Sequence, residues 1–456
     1  MTTLTLNSTH SKQVPILRGW PFLGNLWPLS RDVIKFLESC VHRYDEIVAI
    51  RVIGNNFYLV THPDLIEEVL LTKNAKFQKS KSLKEFSRPV FGNGLLASDG
   101  DFWLRQRRLA QPAFHRQRIA AYGTTMVNYT NRLIADWKEG EVRDLHSEMM
   151  RLTLEVVAKT LFNKEATGEV TEIGEILDAI MARFATSGLI NVAEAILGRE
   201  LPIASNKRYH QAVSRLDEIV RTVIEERRAN HEDKGDLIGM FLAARDEDGS
   251  GMSDQQLLDE CKTMFLAGHE TTALTLSWTW WLLDANPQAK QKLQQELRQV
   301  LNGRSPTLAD LPNLPYTGYI IAESMRLMPP AWTIEREALE DVEIGGYLIP
   351  KGAQVGMTQY GVHRDPRWYA NPNQFLPERW ANDLLKRLPK YAYFPFGGGP
   401  RICIGQQFAL MEAQLMLATL AQKFDFELIP GQRIEPQPSI TMRPKYGLKM
   451  RIKQLG

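Results

Sequence analysis

Apolar residues recur at helical spacing, with charged residues between them, over most of the chain from about residue 100 to residue 330. Residues 47–53 and 57–60 are instead rich in β-branched and aromatic residues, and they predict a β-hairpin with its turn at Gly54-Asn55-Asn56. Residues 341–350 predict a second hairpin, because two consecutive glycines can supply the positive φ angles of a tight turn. The pattern therefore predicts a mainly α chain of the α+β class, with small sheets toward both ends.

The longest helical pattern runs from Asp254 to about Asn286 without a proline, and Pro287 follows it. A helix of this length far exceeds the mean of about 12 residues. Its high density of apolar residues predicts that it crosses the interior.

The segment Ala267 to Thr272, AGHETT, is a weak helix former within this pattern. A glycine in a helix interior costs about 1 kcal/mol relative to alanine, and two β-branched threonines follow it. Thr271 lies four residues after Ala267, so its hydroxyl can bond the Ala267 carbonyl and loosen the helix, leaving room for water or a diatomic ligand. The alternative is a glycine retained for packing, followed by two threonines bonded to the backbone.

A glycine-rich loop precedes Cys403, one of only three cysteines. A helix with one buried face is predicted to begin at or just after this cysteine. The proximity of a helix N-terminus and of Arg401 would lower the pKa of its thiol, and the glycines would let the backbone approach the sulfur. A lone cysteine is more often a small buried hydrophobe, but this setting predicts a metal-bound thiolate. The helix prediction rests on the apolar spacing of Ile404, Phe408, Met411, Leu415 and Ala418.

Residues 396–405, FGGGPRICIG, resemble the haem-binding loop of the cytochrome P-450 monooxygenases. The resemblance implies the P-450 fold and a haem b with Cys403 as axial thiolate and metal ligand. Phe396 and Arg401 are then expected beside the haem. AGHETT resembles the acid–alcohol pair of that family, which implies that Glu270 and Thr271 organise proton delivery during oxygen reduction.

Further motifs follow in the order of that family. Trp103 and Arg107 resemble its W-x-x-x-R motif, which contacts a haem propionate, and Arg336 is expected to contact a propionate too. The E-x-x-R pattern and a later P-E-R segment imply a buried ion-pair network that supports folding and haem retention. This network consists of Glu323, Arg326 and Arg379.

The resemblance also implies an apolar substrate pocket and so a lipophilic substrate, such as a fatty acid or a terpenoid, that is hydroxylated or epoxidised. The expected lining residues are Phe91, Met264, Phe265, Ala267, Ala331, Trp332 and Thr333.

Composition and charge restrict the partners. The net charge of +2 gives no reason to expect nucleic acid. The N-terminal residues show neither a membrane-spanning nor a signal pattern, so no transmembrane anchor and a cytoplasmic location are expected, with peripheral membrane contact left open. Because the sequence shows no flavin or iron–sulfur region, a separate ferredoxin or flavodoxin-type donor with its reductase is expected. Its basic docking patch would comprise Arg105, Arg108, His115, Arg116, Arg118, Lys386, Arg387 and Lys390.

Residues 1–456 are expected to form a single haem domain. Its β-rich part would comprise about residues 40–75 and 331–362 plus C-terminal strands, and its helical part about residues 76–330 and 404–425. Two alternatives to a monooxygenase stay open. A peroxygenase driven by hydrogen peroxide would not need the acid–alcohol pair, and a non-catalytic haem sensor or electron-transfer protein would not need an apolar pocket.

Overall fold

A computed structural model describes residues 12–163, 168–185, 201, 203–230 and 236–455. The chain divides into two compact units. The β unit comprises Met1–Lys81, Thr333–Pro372 and Leu385–Ile402, and the helical unit comprises Ser82–Trp332, Asn373–Leu384 and Cys403–Gly456. The expectation of a single haem domain stays a prediction.

The described elements are mostly helices. The helices are α1 (Leu26–Arg31), α2 (Val33–Arg43), α3 (Pro63–Glu67), α4 (Lys81–Phe91), α5 (Gly100–Ala110), α6 (Arg116–Ile134), α7 (Leu145–Phe162), α8 (Gly168–Ala185), α9 (Ala204–Asn230), α10 (Leu237–Ala243), α11 (Asp254–Asp284), α12 (Pro287–Leu301), α13 (Pro315–Leu327), α14 (Gln359–Val362), α15 (Leu384–Arg387) and α16 (Gln406–Ala421). The strands are β1 (Ile16–Leu17), β2 (Ile47–Val52), β3 (Asn55–Val60), β4 (Phe77–Lys79), β5 (Val142–Asp144), β6 (Ile334–Ala338), β7 (Val342–Ile344), β8 (Tyr347–Ile349), β9 (Gln354–Met357), β10 (Phe424–Leu428), β11 (Pro436–Pro438), β12 (Met442–Pro444) and β13 (Lys449–Gln454). These elements confirm the mainly α, α+β prediction.

The β unit is built on a six-stranded sheet in the order β1-β2-β3-β9-β6-β4. Its β2–β3 hairpin is the first one predicted, but Val52 pairs with Asn55, so the turn is Ile53-Gly54. The prediction of a turn that includes Asn55 and Asn56 is wrong, because both central residues of the two-residue turn take positive φ and the asparagines join the strand.

The β7–β8 hairpin of the same unit confirms the second prediction. Its turn residues Gly345 and Gly346 have φ of +57° and +84°.

The helical unit is organised around α11. Ser253 caps its start: the hydroxyl accepts from Gln256 N, and Ser253 N donates to the Gln256 side chain at 2.8 Å. Almost every residue from Leu257 to Leu283 is buried, because α7, α9, α12, α13 and α16 pack around the helix. The prediction of an interior helix is confirmed, with its end at Asp284.

Helix α16 follows Cys403 after a short turn, as predicted, but the prediction of one buried face is wrong. Every residue from Leu415 to Ala421 is buried. The reason is that α6, α11, α13 and β10 pack against it from several sides.

Within the described residues, no helix combines the length and the apolar character that crossing a bilayer requires.

Candidate active site

The AGHETT turn is the accessible part of a buried helix. Ala267 is exposed, and Gly268 and Thr271 are half-buried, whereas Leu257–Leu266 and the two residues between Gly268 and Thr271 are buried. We call Ala267, Gly268 and Thr271 the open strip. A Cβ added at Gly268 would make an ordinary contact with Val157 at 3.5 Å, so packing does not require the glycine.

The Thr271 hydroxyl donates to the Ala267 carbonyl at 2.9 Å, the contact that its spacing predicts. Helix α11 nevertheless continues through this turn, so the predicted loosening is wrong. A carbonyl oxygen has two lone pairs and can accept from both the hydroxyl and the backbone N–H.

Glu270 is buried in the helical unit, and two side chains from near the C-terminus of the chain bind it. Its Oε1 accepts hydrogen bonds from Thr441 Oγ1 and Arg443 Nε, both at 2.5 Å. Burial alone would raise the pKa of Glu270, but Arg443 and Thr441 outweigh burial and hold the pKa below its usual range. Glu270 is therefore an ionised, fixed carboxylate at neutral pH. No sequence motif marks Arg443, which lies 173 residues further along the chain.

Other titratable groups surround this ion pair. Arg443 Nη1 also lies 3.9 Å from Asp178, whose side chain is exposed. Burial, together with the charge of Arg443, lowers the pKa of His146 to about 4. His269 is buried, with Nδ1 3.1 Å from the Phe265 carbonyl, and burial lowers its pKa. Both imidazoles are therefore neutral at neutral pH, and Arg443 is the cation that balances Glu270.

Cys403 is the exposed cysteine, whereas Cys40 and Cys261 are buried. Although one side of Cys403 is accessible, the surrounding protein raises the pKa of its thiol; the Gly405 N–H and the positive charge of Arg107 only partly oppose this. The prediction that the chain itself lowers this pKa is therefore wrong, because desolvation outweighs both favourable groups. Burial lowers the pKa of Arg107, and the negative charge of an ionised Cys403 would partly offset that effect. Trp103, one turn earlier on α5, is buried.

The glycines before Cys403 are required by packing inside the β unit. Gly399 has φ of +64°, and a Cβ there would lie 1.8 Å from the Leu70 carbonyl oxygen. A Cβ on Gly398 would lie 2.2 Å from the Tyr391 ring. These contacts explain why both positions are glycine. They give no support to the expectation that the glycines serve to bring the backbone close to the Cys403 sulfur.

The other expected haem contacts in the β unit occupy the same loop and strand β6. Phe396 and Arg401 are half-buried. Arg336 is buried on β6 and donates from Nη1 to the Glu335 carbonyl at 2.8 Å.

Glu323, Arg326 and Arg379 come together in the helical unit. Arg326 binds Glu323 through two nitrogens at 2.9 and 2.8 Å, and Arg379 Nε donates to Glu323 Oε1 at 2.8 Å. Glu323 and Arg326 are fully buried. Two further donors, which the sequence analysis missed, are Trp380 Nε1 and Leu376 N, both at 2.9 Å. Five hydrogen bonds thus hold one buried carboxylate.

The expected pocket residues occupy different environments. Ala267 belongs to the open strip, whereas Phe91, Met264 and Phe265 are buried in the core of the helical unit. Trp332 is buried and donates to the Ser439 carbonyl at 2.9 Å. Ala331 and Thr333 are half-buried, and Thr333 Oγ1 donates to the Met357 carbonyl at 3.2 Å. Their roles as pocket lining stay predictions.

Three of the expected docking cations already have acidic partners, and one of them is Lys390, whose Nζ lies 3.4 Å from Glu67. Arg105 Nε lies 2.9 Å from Asp246, and Arg108 lies 3.2 Å from both Asp246 and Glu247. These cations are therefore balanced by acids, and the basic docking patch as a whole stays a prediction. The side chain of Arg116 lies outside the described residues.

Comparisons with known proteins identify the family. A family model described as cytochrome P450 matches residues 14–451. The chain belongs to the cytochrome P450 family. It is 37% identical over 429 residues to cyclooctatin synthase of Streptomyces melanosporofaciens, covering 93% of this chain and 92% of that one. It is 36% identical over 415 residues to cyclooctat-9-en-7-ol 5-monooxygenase of the same organism, covering 90% and 89%.

A solved structure agrees. The crystal structure of the cytochrome P450DA heme domain superposes with a TM-score of 0.87 at 27% identity, covering 98% of each chain. The family resemblance and the P450 fold are thus confirmed, and this P450 is a monooxygenase.

The family implies a haem held by a cysteine thiolate, and the side chains of the helical unit fit that group. Cys403 is exposed, and the positive charge of Arg107 favours the ionised form of its sulfur. When bound, the haem supplies the oxygen and electron-transfer chemistry. A P450 monooxygenase also needs a redox partner.

We predict that Arg443→Gln destabilises the protein most at neutral pH. The folded-state pKa of Glu270 lies below its usual value. The ionised Glu270 therefore adds to the free energy of unfolding at pH values above its unfolded-state pKa, and this contribution is lost as pH falls. Without Arg443, burial would push that pKa upward, and the pKa values of His146, His269 and Asp178 would also rise. The difference in free energy of unfolding between wild type and variant should therefore shrink on acidification. Denaturant titrations across pH measure it.

Arg433→Gln is the control for that prediction, because Arg433 is exposed and pairs with Glu435. A pH-independent loss in Arg443→Gln would contradict the assigned ion pair.

We predict that Glu323→Gln lowers the free energy of unfolding by about 3–5 kcal/mol, because it leaves Arg326 buried without its counter-charge. Glu378→Gln, which breaks the exposed pair with Lys292, should cost about 0–1 kcal/mol. Equilibrium denaturation of both variants measures the contrast. Equal losses would show that burial of the network does not set its contribution.

Proposed function

We propose that this P450 hydroxylates or epoxidises a lipophilic, terpenoid-like molecule, using O2 and two electrons from a separate protein. The observation that carries the proposal is the open strip, since it leaves Ala267 exposed and Thr271 half-buried on a largely buried helix, in the unit in which Cys403 is also exposed. A bound substrate would meet a methyl group and a hydroxyl there. An apolar surface with few polar groups suits a hydrocarbon-rich substrate.

The substrate class rests on the relatives. The name of one relative, cyclooctat-9-en-7-ol 5-monooxygenase, describes oxygenation of a largely hydrocarbon alcohol. Core residues beside the open strip in sequence, such as Met264 and Phe265, are apolar as well. A terpenoid-like substrate is therefore the first choice and a fatty acid the second.

We assign the proton route to Thr271 and Glu270. Thr271 belongs to the open strip. The next residue toward the N-terminus, Glu270, is buried and is held in place by Arg443. A fixed carboxylate orients nearby water and hydroxyl groups and can receive protons that pass toward the strip. Thr271 would hold the last proton in this route, and Glu270 would position it.

The assigned cofactor is haem b, with Cys403 as its axial ligand. The proposal keeps the haem contacts implied by the family motifs: Trp103, Arg107, Arg336, Phe396 and Arg401. Because Arg105 and Arg108 pair with acids, the proposal assigns other cations to the docking of a ferredoxin or flavodoxin-type donor. Arg118, Lys386 and Arg387 are exposed members of the expected patch.

We predict that Thr271→Ala retains haem binding but uncouples turnover. Product formed per electron pair should fall about 100-fold, the lower end of the range for loss of a general acid–base group, and hydrogen peroxide should accumulate. Simultaneous measurement of consumed reductant, peroxide and product checks this. Thr279→Ala is the matched control, because Thr279 is buried on the same helix and donates to the Thr275 carbonyl. Tight coupling in Thr271→Ala would remove Thr271 from the route.

Cys403→Ser tests the cofactor assignment. The wild-type protein, reduced and exposed to carbon monoxide, should show the strongly red-shifted Soret band of thiolate-ligated haem, and the variant should lose that band. Cys261→Ser is the control, since Cys261 is buried. An unchanged band in Cys403→Ser would contradict the axial assignment.

Spectral titration then tests the substrate class. Cyclic terpenoid alcohols should shift the Soret band at lower concentration than fatty acids do. Turnover with hydrogen peroxide but none with any reductase system would favour a peroxygenase instead.

A further inference from the structure

Large apolar side chains are exposed together near the start of the β unit. Trp20 is 67% exposed, Phe22 96%, Trp27 64% and Ile53 50%. Leu23 is also exposed. We call these five residues the aromatic patch. Scattered apolar residues are normal on a surface, but a contiguous group of this kind usually marks an interaction site.

Hydrogen bonds join the members of the patch into one surface. Residues 20–25 form a tight loop in which Trp20 and Gly24 exchange two backbone hydrogen bonds at 2.8 Å. This loop rests on the β2–β3 turn: Asn25 N donates to the Arg51 carbonyl at 2.7 Å, and Ile53 N donates to the Leu23 carbonyl at 3.5 Å. The loop and the turn therefore present their side chains side by side.

The backbone is strained at two members of the patch. Seven non-glycine residues of the described chain have positive φ, and five of them are asparagine or aspartate. The other two are Phe22, at +62°, and Ile53, at +45°. Bulky or β-branched residues in this region are outliers, and such strain tends to persist where function requires it. Glycine or asparagine would make either turn more easily, so folding alone does not explain an exposed phenylalanine and isoleucine there.

Positive charge surrounds the patch. Arg18, Arg31 and Arg51 are exposed, and the sequence has no aspartate or glutamate between residues 13 and 31 or between residues 47 and 63. Asp32, the next acid, is engaged by Lys35 at 3.2 Å. The two segments that form the patch thus combine tryptophan, phenylalanine and arginine and contain no carboxylate of their own.

We propose that the aromatic patch binds the headgroup region of an anionic lipid membrane and holds this P450 at the membrane surface. Tryptophan rings favour the membrane–water interface, and arginines favour anionic headgroups. Trp20 and Phe22 extend from the tight loop that rests on the β2–β3 turn, and Trp27 extends from the short helix α1, so the rings can enter between headgroups. This inference does not depend on the substrate class proposed above.

Co-sedimentation of the haem-loaded protein with vesicles tests the proposal. Vesicles of mixed phosphatidylglycerol and phosphatidylcholine should bind the protein, more weakly at higher salt, and vesicles of phosphatidylcholine alone should bind it less. The triple variant Trp20→Ser, Phe22→Ser, Trp27→Ser should lose at least about 10-fold in partitioning, because its apolar contact area is gone. Each of Arg18→Gln, Arg31→Gln and Arg51→Gln should lose about fivefold on anionic vesicles.

A matched control is Leu339→Ser with Leu348→Ser, which removes two exposed leucines of the same unit outside the patch. Its binding should equal that of the wild type. An unchanged haem spectrum and circular dichroism verify that each variant is folded.

Three outcomes would overturn the proposal. One is absence of binding to anionic vesicles, and another is equal binding by the wild type and the triple serine variant. The third is a wild-type dimer that this variant abolishes while vesicles bind neither protein, which would make the patch a contact between two copies of the chain.

Discussion

The buried charge of Glu270 is the constraint on which the arrangement of the helical unit depends. Its helix is enclosed by neighbouring helices, so water cannot solvate the carboxylate and a partner must come from the fold itself. Arg443 and Thr441 supply that partner from the C-terminal hairpin of β11 and β12. Helix α11 and the β11–β12 hairpin are therefore linked by an ion pair. The open strip, one residue away, can stay accessible while the charge behind it stays fixed.

The same requirement shapes the other polar groups of α11. Four hydroxyls each donate to the carbonyl four residues earlier, which gives each one an acceptor within the helix: Thr271, Thr275, Ser277 and Thr279. Among these four side chains, that of Thr271 belongs to the open strip. A hydroxyl with a backbone acceptor on one side and accessible space on the other can hold a proton in a defined position, which is the property the proposed proton route requires.

A second buried carboxylate, that of Glu323, is also stabilised by hydrogen-bond donors from the fold. Five donors surround it, and none of the residues of this network is on the open strip. The aromatic patch shows the opposite arrangement: apolar side chains are exposed, and the segments that carry them contain arginines but no acids. These two buried carboxylates are thus held by donors within the fold, whereas the apolar and cationic groups of the patch lie on the surface, where a partner can reach them.

The sequence by itself determined the elements and motifs that depend on local spacing. The β7–β8 hairpin, the long helix α11, the Thr271–Ala267 contact and the cysteine loop follow from residues near one another in the chain, and family membership follows from the order of such motifs. Only the tertiary structure decided which groups complete each site. Arg443 and Trp380 lie 173 and 57 residues from the carboxylates they bind, and no local pattern marks either one. The raised pKa of Cys403, the full burial of α16 and the pairing of Arg105 and Arg108 with acids were also decided there, because burial and charge balance depend on what folds around a residue.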